Sequence, residues 1–178
     1  MATAYGMYQR ANQLVRECGT RDPEQIAEDI GIWVYDAEEL QNLLGMYTVK
    51  WNHRVILMNP NIGDNWRCLV MAHEVGHDQL HRPYAKDEAL QEFVLYNLKN
   101  SMEYEANAFA SHILLDNDDV YALAKQGYDV FQMSKMLNTH MNLMLVKLTE
   151  MMRLGYDLRL PCNPDGRFLR KIKGCDAE

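Results

Sequence analysis

The pentapeptide His73-Glu74-Val75-Gly76-His77 matches H-E-x-x-H and follows directly on the apolar run CLVMA at 68–72. An α-helix turns about 100° per residue, so residues four apart lie about 40° apart around the axis and one turn apart along it. Two imidazoles at that spacing converge on a single ion. Glu74 stands beside the first of them, close enough to address a water on the metal without ligating the metal. The apolar run implies that this helix is buried. Burying two histidines and a glutamate without partners is costly, and a metal supplies the missing partner. A catalytic zinc takes three protein ligands and keeps the fourth position open. The fold must therefore bring one more ligand to this helix.

Four residues compete for that place. The long form H-E-x-x-H-x-x-G-x-x-H is excluded, because Leu80 stands where it needs glycine and Pro83 where it needs histidine. His81 continues the i, i+4 series, but it lies about 80° and two turns from His73, too far for all three to meet one ion on a straight helix. It reads as a helix-end packing residue or a support for a ligand. Glu88 and Glu92 follow Pro83 and read as exposed. Glu103 lies in the helical stretch SMEYEANAFASHILL. There Glu103 and Asn107 share a face, as do Ala106 and Ala110, whose small side chains permit a close approach to the H-E-x-x-H helix. Gly76 costs its helix about 1 kcal/mol relative to alanine, which implies a matching close approach on the other side. Asn107 is placed to orient a ligating carboxylate or imidazole. Glu105 points about 160° away from Glu103 and reads as a surface carboxylate.

The remaining sequence reads as one α+β unit, mostly helical. AYGMYQRANQLVREC has apolar residues at helical spacing and ends at Gly19, and DPEQIAEDIGI starts a second helix with Asp22 as cap and Pro23 at its first position. IWVYDAEEL, LGMYTVKW and RVILMNP read as three strands of a small antiparallel sheet. WNHR is a hairpin turn that leaves His53 exposed. The helix NWRCLVMAHEVGHDQLH is stopped by Pro83, and KDEALQEFVLYNLKN is a short helix or an ordered loop. Ser101 is a candidate cap for the Glu103 helix, and Asp116 or Asn117 for the next. DVFQMSKMLN and THMNLMLVKLTEMMRLG complete a single domain over 1–155. The tail over 156–178 reads as irregular, its Arg167, Arg170, Lys171 and Lys173 forming a solvated face.

Composition excludes several functions. A net charge of −7 argues against a broad nucleic-acid surface. The N-terminus lacks the apolar region of a secretory signal, and no apolar run reaches the roughly 18 residues of a membrane span, so the expected setting is cytoplasmic. The 4 cysteines make no C-x-x-C pair and read as free thiols, Cys68 in the core and Cys162 and Cys175 on the surface or in packing. Of 12 methionines, mostly core filler, 7 follow residue 100.

AHEVGHDQLHR followed by MEYEANAFASHILL resembles the ImmA/IrrE family of zinc metallopeptidases, in which H-E-x-G-H precedes a helix of the form E-x-E/Q-A-N-x-F-A-x-x-L-L. The resemblance covers roughly 1–155. It implies a zincin-like α+β fold, with His73, His77 and Glu103 as Zn²⁺ ligands and Glu74 as the general base. Where the family pattern often ends in L-L-x-P, this chain has Leu114-Leu115-Asp116-Asn117, which affects a helix end and not the site. The resemblance further implies a protein of a phage or mobile element that cleaves or inactivates a helix-turn-helix repressor.

The chemistry expected of such a set is peptide hydrolysis. Zinc acidifies a water and polarises the scissile carbonyl, and Glu74 carries the proton to the leaving amine. His112, His140 and several tyrosines are candidates for a second oxyanion donor, though His112 reads more readily as a satisfied core or surface residue. RVILMNP is the candidate sheet edge for strand-wise substrate binding. The alternatives are a zinc-stabilised regulator that binds the repressor without cutting it, and a metal-free interaction module. The intact Glu74 argues against the first, since a purely structural site usually closes with four protein ligands.

Overall fold

The computed structural model describes residues 2–40, 43–85 and 98–158. Helix α1 (Ala4–Cys18) is capped by the Thr3 hydroxyl, which accepts from the Gly6 amide, and it ends at Gly19 with φ 69°. Glycine adopts that left-handed conformation without a Cβ clash. Helix α2 (Pro23–Asp29) has the expected Asp22 cap and Pro23 at its start. Strand β1 (Trp33–Asp36) is followed by a 3-10 turn at Glu38–Leu40, then by β2 (Gly45–Lys50) and β3 (His53–Met58). Trp51 and Asn52, both with positive φ, form the two-residue turn between β2 and β3. His53 begins β3 beyond that turn, exposed and stacked on the Trp33 ring at 4.1 Å.

The sheet is mixed, not antiparallel as expected from sequence. Its order is β1-β3-β2: β2 and β3 form the antiparallel hairpin, while β1 pairs parallel to β3 with Trp33 opposite Val55. Strand β1 does not pair with β2, the next strand in sequence, which lies on the far side of β3. Strand β3 is therefore central, with ladders on both sides, and RVILMNP cannot offer a free edge.

Helix α3 (Asp64–Ala85) carries the H-E-x-x-H motif and packs against α2, β2, β3 and α4 (Leu98–Leu114). It runs through Pro83 where a stop was expected. A proline near a helix end forfeits one backbone hydrogen bond rather than a whole ladder. Cys68 is exposed, contrary to its expected place in the core. It lies about 140° around the axis from His73, on the opposite side from the buried face. Helix α4 is already formed at Leu98, so Ser101 lies inside it and is not its cap. Three further helices follow, α5 (Asn117–Lys125), α6 (Val130–Met136) and α7 (Met141–Arg153), with Asp116, Asp129 and His140 as their caps. Residues 86–97 and 159–178 lie outside the described residues, and with them Glu88, Glu92, Cys162, Cys175 and the basic run of the tail. Among the described residues no helix is long and apolar enough to cross a membrane.

Two packing features fix the site. The fully buried Asp78 accepts from Tyr47 Oη at 2.7 Å, from Arg54 at 3.1 Å and from Arg82 at 2.9 Å, tying α3 to two strands one residue after His77. Burial and the adjacent carboxylate push the Tyr47 phenol up, so it stays a donor. Gly76 meets α4 as expected: a Cβ there would lie 3.0 Å from the Ala106 carbonyl oxygen and 3.1 Å from its Cα. The two helices cross at glycine against alanine.

Candidate metal centre

That close crossing brings the side chains of α3 and α4 into one cluster. His73 and His77 are each 3% exposed, and their Nε2 atoms lie 3.0 Å apart. Glu103 places Oε2 3.3 Å from His73 Nε2 and Oε1 3.6 Å from His77 Nε2. One donor atom from each of the three lies within 4.8 Å of the others. Donors about 2.0–2.1 Å from a tetrahedral zinc sit roughly 3.3 Å from one another. The observed separations bracket that edge length. Two imidazoles and a carboxylate form a Lewis-basic set that suits zinc, so the residues present fit the ion.

The surroundings orient these groups. His73 Nδ1 donates to Asn107 Oδ1 at 2.9 Å, which leaves Nε2 as the lone pair facing Glu103. Asn107 therefore supports an imidazole, the role read from its place on the Glu103 face. Behind His77, its Nδ1 lies 3.0 Å from His81 Nδ1, and His81 Nε2 lies 3.2 Å from Glu105 Oε2. His81 thus stands behind His77 and does not join the three converging donors, in keeping with its angle around the helix. Burial holds it below the usual histidine range against the opposing pull of Glu105.

Glu105 corrects the sequence reading. It is 8% exposed and paired to His81, not a surface carboxylate. Helix α4 is enclosed by α1, α3 and α7, so pointing away from Glu103 is not pointing at solvent. The missed signal was the unpaired demand of His81 itself, since a buried imidazole needs a partner for its second nitrogen. Sequence reasoning also missed Gly45, at the start of β2. A Cβ there would lie 2.6 Å from Val70 Cγ1 and 3.4 Å from Glu74 Oε1. The strand backbone thus runs against Glu74, which is 6% exposed. Glycine opening a strand pattern was the available signal for such an approach.

Two other candidates lie elsewhere. His112 is fully buried with Nδ1 3.2 Å from Lys147 Nζ. Burial, then the charges of Lys147 and Arg21, push it down to about 2. Nine residues separate it from Glu103, about 13.5 Å along the helix. His140 caps α7, accepting from the Asn142 amide at 3.1 Å, and packs against Trp66. Neither joins His73, His77 and Glu103.

A family model described as the IrrE N-terminal-like domain, peptidase family M78, matches residues 27–144. Among curated proteins the chain is similar to "Uncharacterized immunity region protein 2" of Bacillus phage phi105, 32% identical over 103 residues. The match covers 58% of this chain and 64% of that protein, so the chain spans less than two thirds of the relative's length.

Proposed function

The chain belongs to the ImmA/IrrE family of peptidases, and on that premise we propose that it is a zinc-dependent endopeptidase with a zincin-like arrangement of sheet and active helix. The observation that carries this reading is the convergence of His73, His77 and Glu103 beside Glu74. These three residues would hold the ion, and zinc when bound supplies Lewis acidity toward a water and a peptide carbonyl. Glu74 takes the proton from the attacking water and delivers it to the departing amine. Asn107 and His81 hold the two imidazoles in place.

Strand-wise binding of substrate passes from β3 to β2. Among the described residues β2 is paired only on its β3 side, and its first residue meets Glu74. An extended peptide added along β2 would run past the proton carrier. The phi105 relative's name refers to an immunity region. That supports a regulatory protein of a phage or mobile element, whose substrate is a helix-turn-helix repressor.

The test is incubation of the purified chain with any small helix-turn-helix protein encoded beside it. Zinc-loaded protein should cut the repressor, chelator should stop cleavage, and added zinc should restore it. Binding without fragments under all three conditions would favour a non-cleaving regulator and end the peptidase reading.

A further inference from the structure

The group behind His77 differs in kind from the group behind His73. Asn107 has an amide, which can present either an acceptor or a donor. His77 instead backs onto a second imidazole, His81, which backs onto a carboxylate. All three are nearly out of contact with water, His77 and His81 at 3% and Glu105 at 8% exposed. An ionised carboxylate only accepts. The N–H of His81 must then sit on Nε2, facing Glu105 Oε2 at 3.2 Å. A neutral imidazole has one N–H, so His81 Nδ1 carries a lone pair. That lone pair accepts from His77 Nδ1 at 3.0 Å, which places the single proton of His77 on Nδ1. The Nε2 lone pair of His77 is then turned toward Glu103 and His73.

The acceptor-only end sets the direction of both hydrogen bonds. A free histidine side chain favours the opposite tautomer, with its proton on Nε2, where it would block coordination. We infer that His81 and Glu105 are positioning residues that hold His77 in its Nδ1–H tautomer and so prepare Nε2 for a cation. The metal consequence rests on the function proposed above; the tautomer itself does not. Partners that orient a ligating histidine are worth about 10–100-fold in metal affinity. His81→Ala removes the acceptor for His77. Glu105→Gln keeps the shape but adds a donor, so the direction of the chain is no longer fixed. His81→Asn puts an amide oxygen near the place of the imidazole Nδ1 and recreates the pairing that Asn107 makes with His73.

The experiment uses the full chain with ¹⁵N-labelled histidine rings, His77 being assigned by its loss in His77→Gln. Ring ¹⁵N spectra of the metal-free protein give the tautomer, and competition with a chromophoric chelator gives the zinc affinity. The expected result is His77 protonated on Nδ1 in the wild type and shifted toward Nε2–H in His81→Ala and Glu105→Gln. Zinc affinity should fall about 10–100-fold in His81→Ala, less in Glu105→Gln, and recover most of its loss in His81→Asn. A His77 carrying its proton on Nε2 in the wild type overturns the inference. So does an unchanged tautomer in both His81→Ala and Glu105→Gln. Should the wild type bind no zinc, the proposed peptidase function fails while the tautomer still decides the role of His81 and Glu105.

Discussion

Helix α4 carries a buried polar cluster at each end, and the two have opposite chemistry. Toward its start, Glu103, Glu105 and Asn107 meet His73, His77 and His81 of α3. Toward its end, His112 meets Lys147, whose Nζ also donates to the Leu115 carbonyl at 2.7 Å. Arg21 donates to the carbonyls of His112 and Ile113 at 3.1 and 2.8 Å and pairs with Asp116. That second cluster satisfies the last carbonyls of the helix with the chain's own cations, as helix ends require. The first assembles imidazoles, carboxylates and an amide, and there the donor atoms of His73, His77 and Glu103 converge. Burial of a histidine is common to both ends and distinguishes nothing. The sign of the charge beside it does.

Four substitutions probe this contrast. Glu74→Gln should reduce cleavage of the proposed repressor substrate by about 10²–10⁴-fold, the range for loss of a general base, while zinc content measured after dialysis stays at the wild-type level. Next in size, Glu103→Ala should weaken zinc binding by more than about 100-fold, beyond the cost of losing a supporting partner. His112→Ala is its control at the other end of the helix and should leave zinc affinity unchanged; a loss there would merge the two clusters. Gly76→Ala puts a Cβ against the backbone of Ala106. Overpacking of this kind costs about 1–3 kcal/mol, of which about 1 is regained in helix propensity, so a fall of a few degrees in Tm is expected. A higher Tm would mean that the helices separate freely.

The remaining effect belongs to Lys147. Burial first, then the charge of Arg21, holds its ammonium down to about 7 from an ordinary 10.5. Between those values the unfolded chain binds more protons than the folded one, so stability rises with pH across that window. At about 1.4 kcal/mol per pKa unit, a separation of that size makes the rise on the order of 5 kcal/mol. Lys147→Met should flatten it in urea titrations run between pH 7 and 10, and an unchanged slope would show that Lys147 is not its source.

What the sequence disclosed followed from regular geometry. The spacing of His73 and His77, the face shared by Glu103 and Asn107, and the contact implied by Gly76 all depend on a helix repeat that packing hardly alters. The misreadings depended on neighbours. Glu105 reads as a solvent residue from the α3–α4 pair alone, whereas α1, α3 and α7 all close on α4. Cys68 stands among apolar neighbours, but its angle around α3 turns it outward. The strands were found near their true places, with β1 ending at Asp36 and a 3-10 turn taking up Glu38–Leu40. Their order was not, since alternation within a strand says which faces are buried and nothing about which strand lies beside it. The move of the candidate substrate edge from β3 to β2 follows from that one error.

The central claim is that α3 and α4 together hold one divalent ion through His73, His77 and Glu103. Anomalous diffraction at the zinc edge, from crystals of the zinc-loaded chain, tests it most directly. One peak per chain is expected, about 2.0–2.2 Å from His73 Nε2, His77 Nε2 and a Glu103 carboxylate oxygen. A peak ligated without Glu103, or no peak between these two helices, would contradict it.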